Sequence, residues 1–209
     1  MPSEDLAGEE AGGKDRPAVA RREVVLGGVA AAMAAVCCNE AAAQSGSPSG
    51  DAAARARPEP GDQLILADAE KDAKPLAPGD LEPNGDQVLA WAMQPGSGTV
   101  RNGSRLNQVL LIRLDPAELD ETTRKRAAEG VVAYSAVCTH QQCPVSVWLP
   151  EKRALHCPCH GSEFDPRRSG QVVNGPALRP LAALPVRVEN GLLVVGGRFV
   201  GRVGAPQPG

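Results

Sequence analysis

Residues 137–166 read VCTHQQCPVSVWLPEKRALHCPCHGSEFDP. Four of the chain's six cysteines and all three of its histidines fall in this stretch. They come in two bursts, Cys138-Thr139-His140-Gln141-Gln142-Cys143 and Cys157-Pro158-Cys159-His160. Between the bursts VSVWL runs out, Pro150 to Arg153 turn, and ALHC returns, which is the pattern of a β-hairpin. That hairpin brings the two bursts together. One Cys and one His from each make the pattern C-x-H-x16-C-x-x-H, using Cys138, His140, Cys157 and His160. Two thiolates and two imidazoles suit zinc, or a [2Fe–2S] centre with one iron held by Cys and the other by His.

The flanks predict an all-β body. Gly and Pro are frequent and spread along the chain, aromatics are scarce, and this favours turns and short strands over long helices. DQLILA, DQVLAWAM, NQVLLIRL and VVAYSAV read as strands, the last running straight into Cys138. LPVRVEN and GLLVVGG flank Asn190-Gly191, a hairpin turn signal. DPAELDETTRKRAAEG, residues 115–130, predicts one short surface helix with Asp115 as N-cap, Pro116 first and Gly130 at its end. The formal net charge of −3 offers no basic surface for nucleic acid.

The N-terminus carries Arg21-Arg22 ahead of a mildly apolar run from about Val24 to Cys38. This resembles a twin-arginine export signal. The run is shorter than the ~20 residues of a spanning helix. The segment over residues 1–43 is either cleaved after Ala41-Ala42-Ala43 or retained as a membrane anchor. Residues 44–61, rich in Ser, Gly, Pro and Ala, predict a flexible linker, with the body over 62–203. Zinc has no need of Cys143 or Cys159. In an exported protein, one spare cysteine in each of two adjacent loops predicts a disulfide that clamps the loops.

CTHQQC and CPCHGSEFD, with NGPALRPL after them, resemble the Rieske iron–sulfur proteins from about Val131 to Val195. The resemblance is to the exported, disulfide-containing type of cytochrome bc complexes and arsenite-oxidase-like molybdenum enzymes. It implies an all-β Rieske fold of stacked antiparallel sheets, with a small cluster-binding part at about 134–180. It implies one [2Fe–2S] cluster per chain, with Cys138 and Cys157 on one iron, His140 and His160 on the other, and a Cys143–Cys159 disulfide. His156 lies outside that pattern. Ser162 stands where family members hydrogen-bond a bridging sulfide. Phe164 stands where high-potential members carry a Tyr, and it has no hydroxyl. Gln141 replaces the Leu usual in quinol-oxidising members, and Leu178 replaces a Pro in the covering loop Gly175 to Pro180.

The implied function is one-electron transfer, as a carrier or as the small subunit of a periplasmic respiratory oxidoreductase. The implied partner is a c-type cytochrome, a molybdenum enzyme large subunit or a cytochrome b. The alternative is the quinol-oxidising subunit of a cytochrome bc complex, with a retained anchor and a hinge.

Overall fold

The computed structural model describes residues 50–69 and 73–205. The paired arginines, the apolar run after them, the cleavage site and residues 44–49 lie outside the described residues. A short helix, α1 (Gly50–Arg55), precedes β1 (Gln63–Leu66), β2 (Val88–Met93) and β3 (Val109–Arg113). Helix α2 (Glu121–Arg124) leads into β4 (Val131–Ser135), β5 (Val147–Leu149) and β6 (Ala154–Cys157). Then come β7 (Ser162–Asp165), β8 (Gln171–Asn174), β9 (Val186–Glu189) and β10 (Leu192–Val195). One sheet has the order β4-β3-β2-β1-β10-β9 and the other β5-β6-β7-β8. Every strand pair is antiparallel. The expected stacked antiparallel sheets are present.

Strands β3 and β4 are apolar on both faces because both faces are covered. Side chains alternate along a strand. Leu110, Ile112, Val132 and Tyr134 therefore face one way and join Trp148, Leu155 and Phe164 of the four-stranded sheet. Val109, Leu111, Val131 and Ala133 face the other way and meet Leu64, Ala90, Leu193 and Val195 inside the larger sheet. That sheet curls, since Leu184, just before β9, donates its N–H to Ala133 of β4 at 2.9 Å. Asn190 and Gly191, both at positive φ, make the β9–β10 turn as the Asn-Gly pair predicts.

Two expectations change. Residues 115–130 do not form one helix. Pro116–Glu118 is a 3₁₀ turn capped by Asp115, and α2 restarts from a second cap, Asp120, whose Oδ1 accepts the Thr123 N–H at 2.7 Å. Asp120 has extended backbone and donates its own N–H to the Arg167 carbonyl at 3.0 Å, so the helix cannot run through it.

The stretch expected as linker is attached from Gly50 onward. The buried Asn107 amide donates to the Ala56 carbonyl at 2.7 Å, and Gly103 donates to Ala54 at 2.9 Å. A Cβ at residue 103 would lie 2.9 Å from the Ala54 carbonyl carbon, so this approach needs glycine. SEFD, strand β7, is fully buried although three of its four residues are polar. Each polar group on it has a partner, as described below.

The entry to β1 is tied by a buried ion pair. Arg101 Nε donates to Asp62 Oδ2 at 2.5 Å, and the two side chains are only 5% and 3% exposed. The Asp62 hydrogen bond holds the Arg101 guanidinium above its usual pKa. The Glu59 carboxylate also reaches it, at 3.2 Å, but is mostly exposed. Removing one member of such a pair strands the other without water. Asp62→Ala should therefore cost about 3–5 kcal/mol in chemical denaturation. A loss of less than about 1 kcal/mol, the size of an exposed pair, would show that the pair does not anchor this segment.

Candidate metal centre

The two bursts are loops at one end of the four-stranded sheet. The first leaves β4 and is closed by its own backbone. Cys138 donates to the Cys143 carbonyl at 2.8 Å, and Gln142, at positive φ, donates back to the Cys138 carbonyl at 3.0 Å. The second is the tight β6–β7 connection, in which Gly161, also at positive φ, donates to the Cys157 carbonyl at 3.0 Å. Hairpin β5–β6, in register with Val147 opposite His156, sets the loops against each other as its pattern predicts.

There the expected donors form two pairs, the neighbouring Cys138 and Cys157 thiols and the His140 and His160 rings. Cys138 and Cys157 are free thiols, each 1% exposed. The His140 and His160 rings meet edge to face with centroids 4.8 Å apart. His160 is exposed, while His140 is partly covered. Cys143 and Cys159 form the disulfide, with Cα atoms 6.4 Å apart across a sequence separation of 16. The Cys157 sulfur lies within 4.8 Å of both disulfide sulfurs. These three sulfurs are no metal donor set, because bonded disulfide sulfurs are not thiolates.

A third loop covers the other two. Ala177 donates its N–H to Ser162 Oγ at 3.2 Å. The Thr139 hydroxyl, between Cys138 and His140, donates to the Arg179 carbonyl at 2.6 Å. A Cβ at Gly175 would lie 2.6 Å from the Gly161 carbonyl oxygen, so the covering loop touches the second burst through glycine. Sequence reasoning missed Thr139, because its partner is 40 residues away. Leu178, in the same loop, is 93% exposed.

Behind the loops, Phe164 is fully buried in the core that also holds Cys138 and Cys157. Glu163 on the same strand takes Lys152 Nζ at 2.6 Å, which holds its carboxyl below the usual range. Asp165 takes Arg167 through both oxygens, at 2.9 and 3.0 Å. His156 stays apart from the four donors, with its Nδ1 3.9 Å from Glu163.

The donors fit a soft metal centre that also accepts nitrogen. His140 Nδ1 is buried and has no hydrogen-bond partner among the described residues. Such an orphan costs free energy unless something binds it. Burial pushes the Cys157 thiol up, and the neighbouring Cys138 pushes it further. Two adjacent buried thiols ionise together only where a cation takes up their charge.

Comparison with known proteins identifies the family. Residues 98–185 match the Rieske [2Fe–2S] domain. The chain is 33% identical over 160 residues to the cytochrome bc1 complex Rieske iron–sulfur subunit of Mycobacterium tuberculosis. That match covers 68% of this chain but spans only 37% of the relative. It is 34% identical over 137 residues to the subunit of the same name from Streptomyces lividans, covering 63% of this chain and 79% of that one. A solved cyanobacterial plasma membrane Rieske protein from Synechocystis overlays with a TM-score of 0.33 at 24% identity, covering 51% of this chain and 84% of that one.

A disulfide that closes two loops contributes about 2–4 kcal/mol. The double variant Cys143→Ser/Cys159→Ser should melt lower by that amount, and a reductant should bring the parent down to the variant. Equal melting of parent and variant, with and without reductant, would show that the loops hold without the bridge.

Proposed function

We infer, for a chain that belongs to the Rieske [2Fe–2S] family, that Cys138 and Cys157 hold one iron and His140 and His160 hold the other. The observation that supports this assignment is a pair of buried free thiols on the same two loops as two imidazoles in contact. When bound, the cluster supplies a one-electron redox couple.

The surrounding residues set the conditions for that couple. Neutral imidazoles in place of two thiolates leave less negative charge at the site and favour a higher potential. The three loops keep water from Cys138 and Cys157. Ser162, fully buried, has its oxygen engaged by the Ala177 N–H, which leaves its proton free to point at a sulfur. Phe164 offers only an apolar wall, so the hydroxyl that high-potential relatives place there is missing. The exposed His160 gives an electron a way out to a partner.

The partner is a respiratory redox protein, with a cytochrome b or c-type cytochrome as the leading class. The relatives named as cytochrome bc1 subunits support this reading. They also support the second reading, quinol oxidation within such a complex, against which Gln141 stands. Export by the twin-arginine route, with Arg21-Arg22 as its signal, places the domain outside the cytoplasm, where a structural disulfide persists. No helix among the described residues is long and apolar enough to cross a membrane.

The purified protein should contain about two irons and two acid-labile sulfides per chain and give an electron paramagnetic resonance signal on reduction. Cys138→Ser and His140→Ala should each lose it. One zinc per chain and no iron after reconstitution would overturn the assignment. Adding a quinol to the same oxidised sample separates the two readings of partner: reduction supports the second, and no reduction supports the first.

Phe164→Tyr should raise the midpoint potential by roughly tens of millivolts and Ser162→Ala should lower it, since ~59 mV is a tenfold change for one electron. Voltammetry of all three proteins at one pH reads this. An unchanged or lower midpoint for Phe164→Tyr with intact iron would show that the ring does not aim at a ligand sulfur.

A further inference from the structure

The chain as a whole is slightly acidic, yet one cleft of about 350 Å³ is lined by three arginines and no carboxylate. Arg126, Arg179 and Arg202 converge there with Ser169, over an apolar wall that includes Leu181 and Ala183. Outside the cleft some arginines are paired with acids, Arg101 with Asp62, Arg153 with Glu118, Arg167 with Asp165 and Arg187 with Glu189, while Arg57, Arg113 and Arg124 bond carbonyl oxygens. Within the cleft, Arg179 donates to the Gly204 carbonyl at 2.7 Å. Arg126 and Arg202 form no side-chain hydrogen bond or ion pair among the described residues.

Like charges gathered in one concavity raise the local potential and attract anions. The planar guanidinium fork matches the oxygens of phosphate and carboxylate. The volume is that of a small-molecule site. We propose that Arg126, Arg179 and Arg202 form a binding site for a small oxyanion of two or more charges, a phosphate or a di- or tricarboxylate. Arg126 and Arg202 supply the free forks. Arg179, already held by Gly204, supplies a fixed charge. The site is independent of the iron-binding assignment and stands or falls without it.

The test is isothermal titration of the holoprotein with inorganic phosphate and, separately, with citrate, at ionic strength held constant with sodium chloride. One saturable site is expected for at least one of them, and the tighter of the two identifies the head group. Arg202→Gln, an exposed change that leaves the fold alone, should weaken it about tenfold or more, and Arg126→Gln likewise, the scale of one charge-assisted hydrogen bond. Arg187→Gln, outside the cleft, should bind as the parent does. No saturable binding of either anion overturns the proposal, even if an acidic peptide is retained. Binding that Arg202→Gln and Arg126→Gln leave unchanged overturns it too.

Discussion

The four-stranded sheet has no core of its own. Its buried side chains, Trp148, Leu155 and Phe164, are covered only because β3 and β4 turn a second apolar face toward them. That shared wall is the constraint on which the rest depends. It requires β3 and β4 to be apolar at successive positions from Val109 to Ile112 and from Val131 to Tyr134, which is why they read as runs and not as alternating strands. It also fixes the first cysteine loop, since β4 leaves the wall and reaches Cys138 three residues later. Polar ties lock the arrangement at its rim. The Tyr134 hydroxyl donates to the Pro166 carbonyl at 2.7 Å, and Ser169 donates its N–H to the buried Thr123 hydroxyl at 2.7 Å.

Most buried polar atoms around the centre are satisfied, and the exceptions there, among the described residues, are the Nδ1 atoms of His140 and His156. Thr139, Ser162, Glu163 and Asp165 are buried and each has a partner. Of the two histidines, His140 is the one whose own backbone N–H meets the Cys138 sulfur, at 3.5 Å, where a bound group would complete its ring nitrogen. The partners come from distant parts of the chain, so the three loops form one unit. Disturbing the covering loop at Ala177 or Arg179 disturbs the neighbours of Cys157 and Cys138 as well.

Charge is distributed with the same economy. Buried Arg101 and Asp62 neutralise each other at the start of β1, and Asp165 and Glu163 are neutralised on β7. The exposed His160 and the exposed Leu178 of the covering loop put the redox end of the molecule at a surface that is part polar and part apolar. The arginine-lined cleft adjoins the covering loop through Arg179, whose carbonyl also holds Thr139.

The sequence by itself determined the chemistry and much of the fold. Cysteine and histidine at fixed spacing are short-range signals, and so are alternating strands and an Asn-Gly turn. Each depends only on neighbours in the chain. The tertiary structure alone decided what depends on distant partners. SEFD became a strand because Lys152, Arg167 and Ala177 satisfy its polar groups. Residues 50–61 became part of the body because Asn107, Gly103 and Arg101 supply bonds to Ala56, Ala54 and Glu59 that composition does not reveal. The expected surface helix broke because Asp120 was claimed by Arg167. Polar residues take their conformation from whichever partner the fold brings within hydrogen-bond reach, and local sequence does not name that partner.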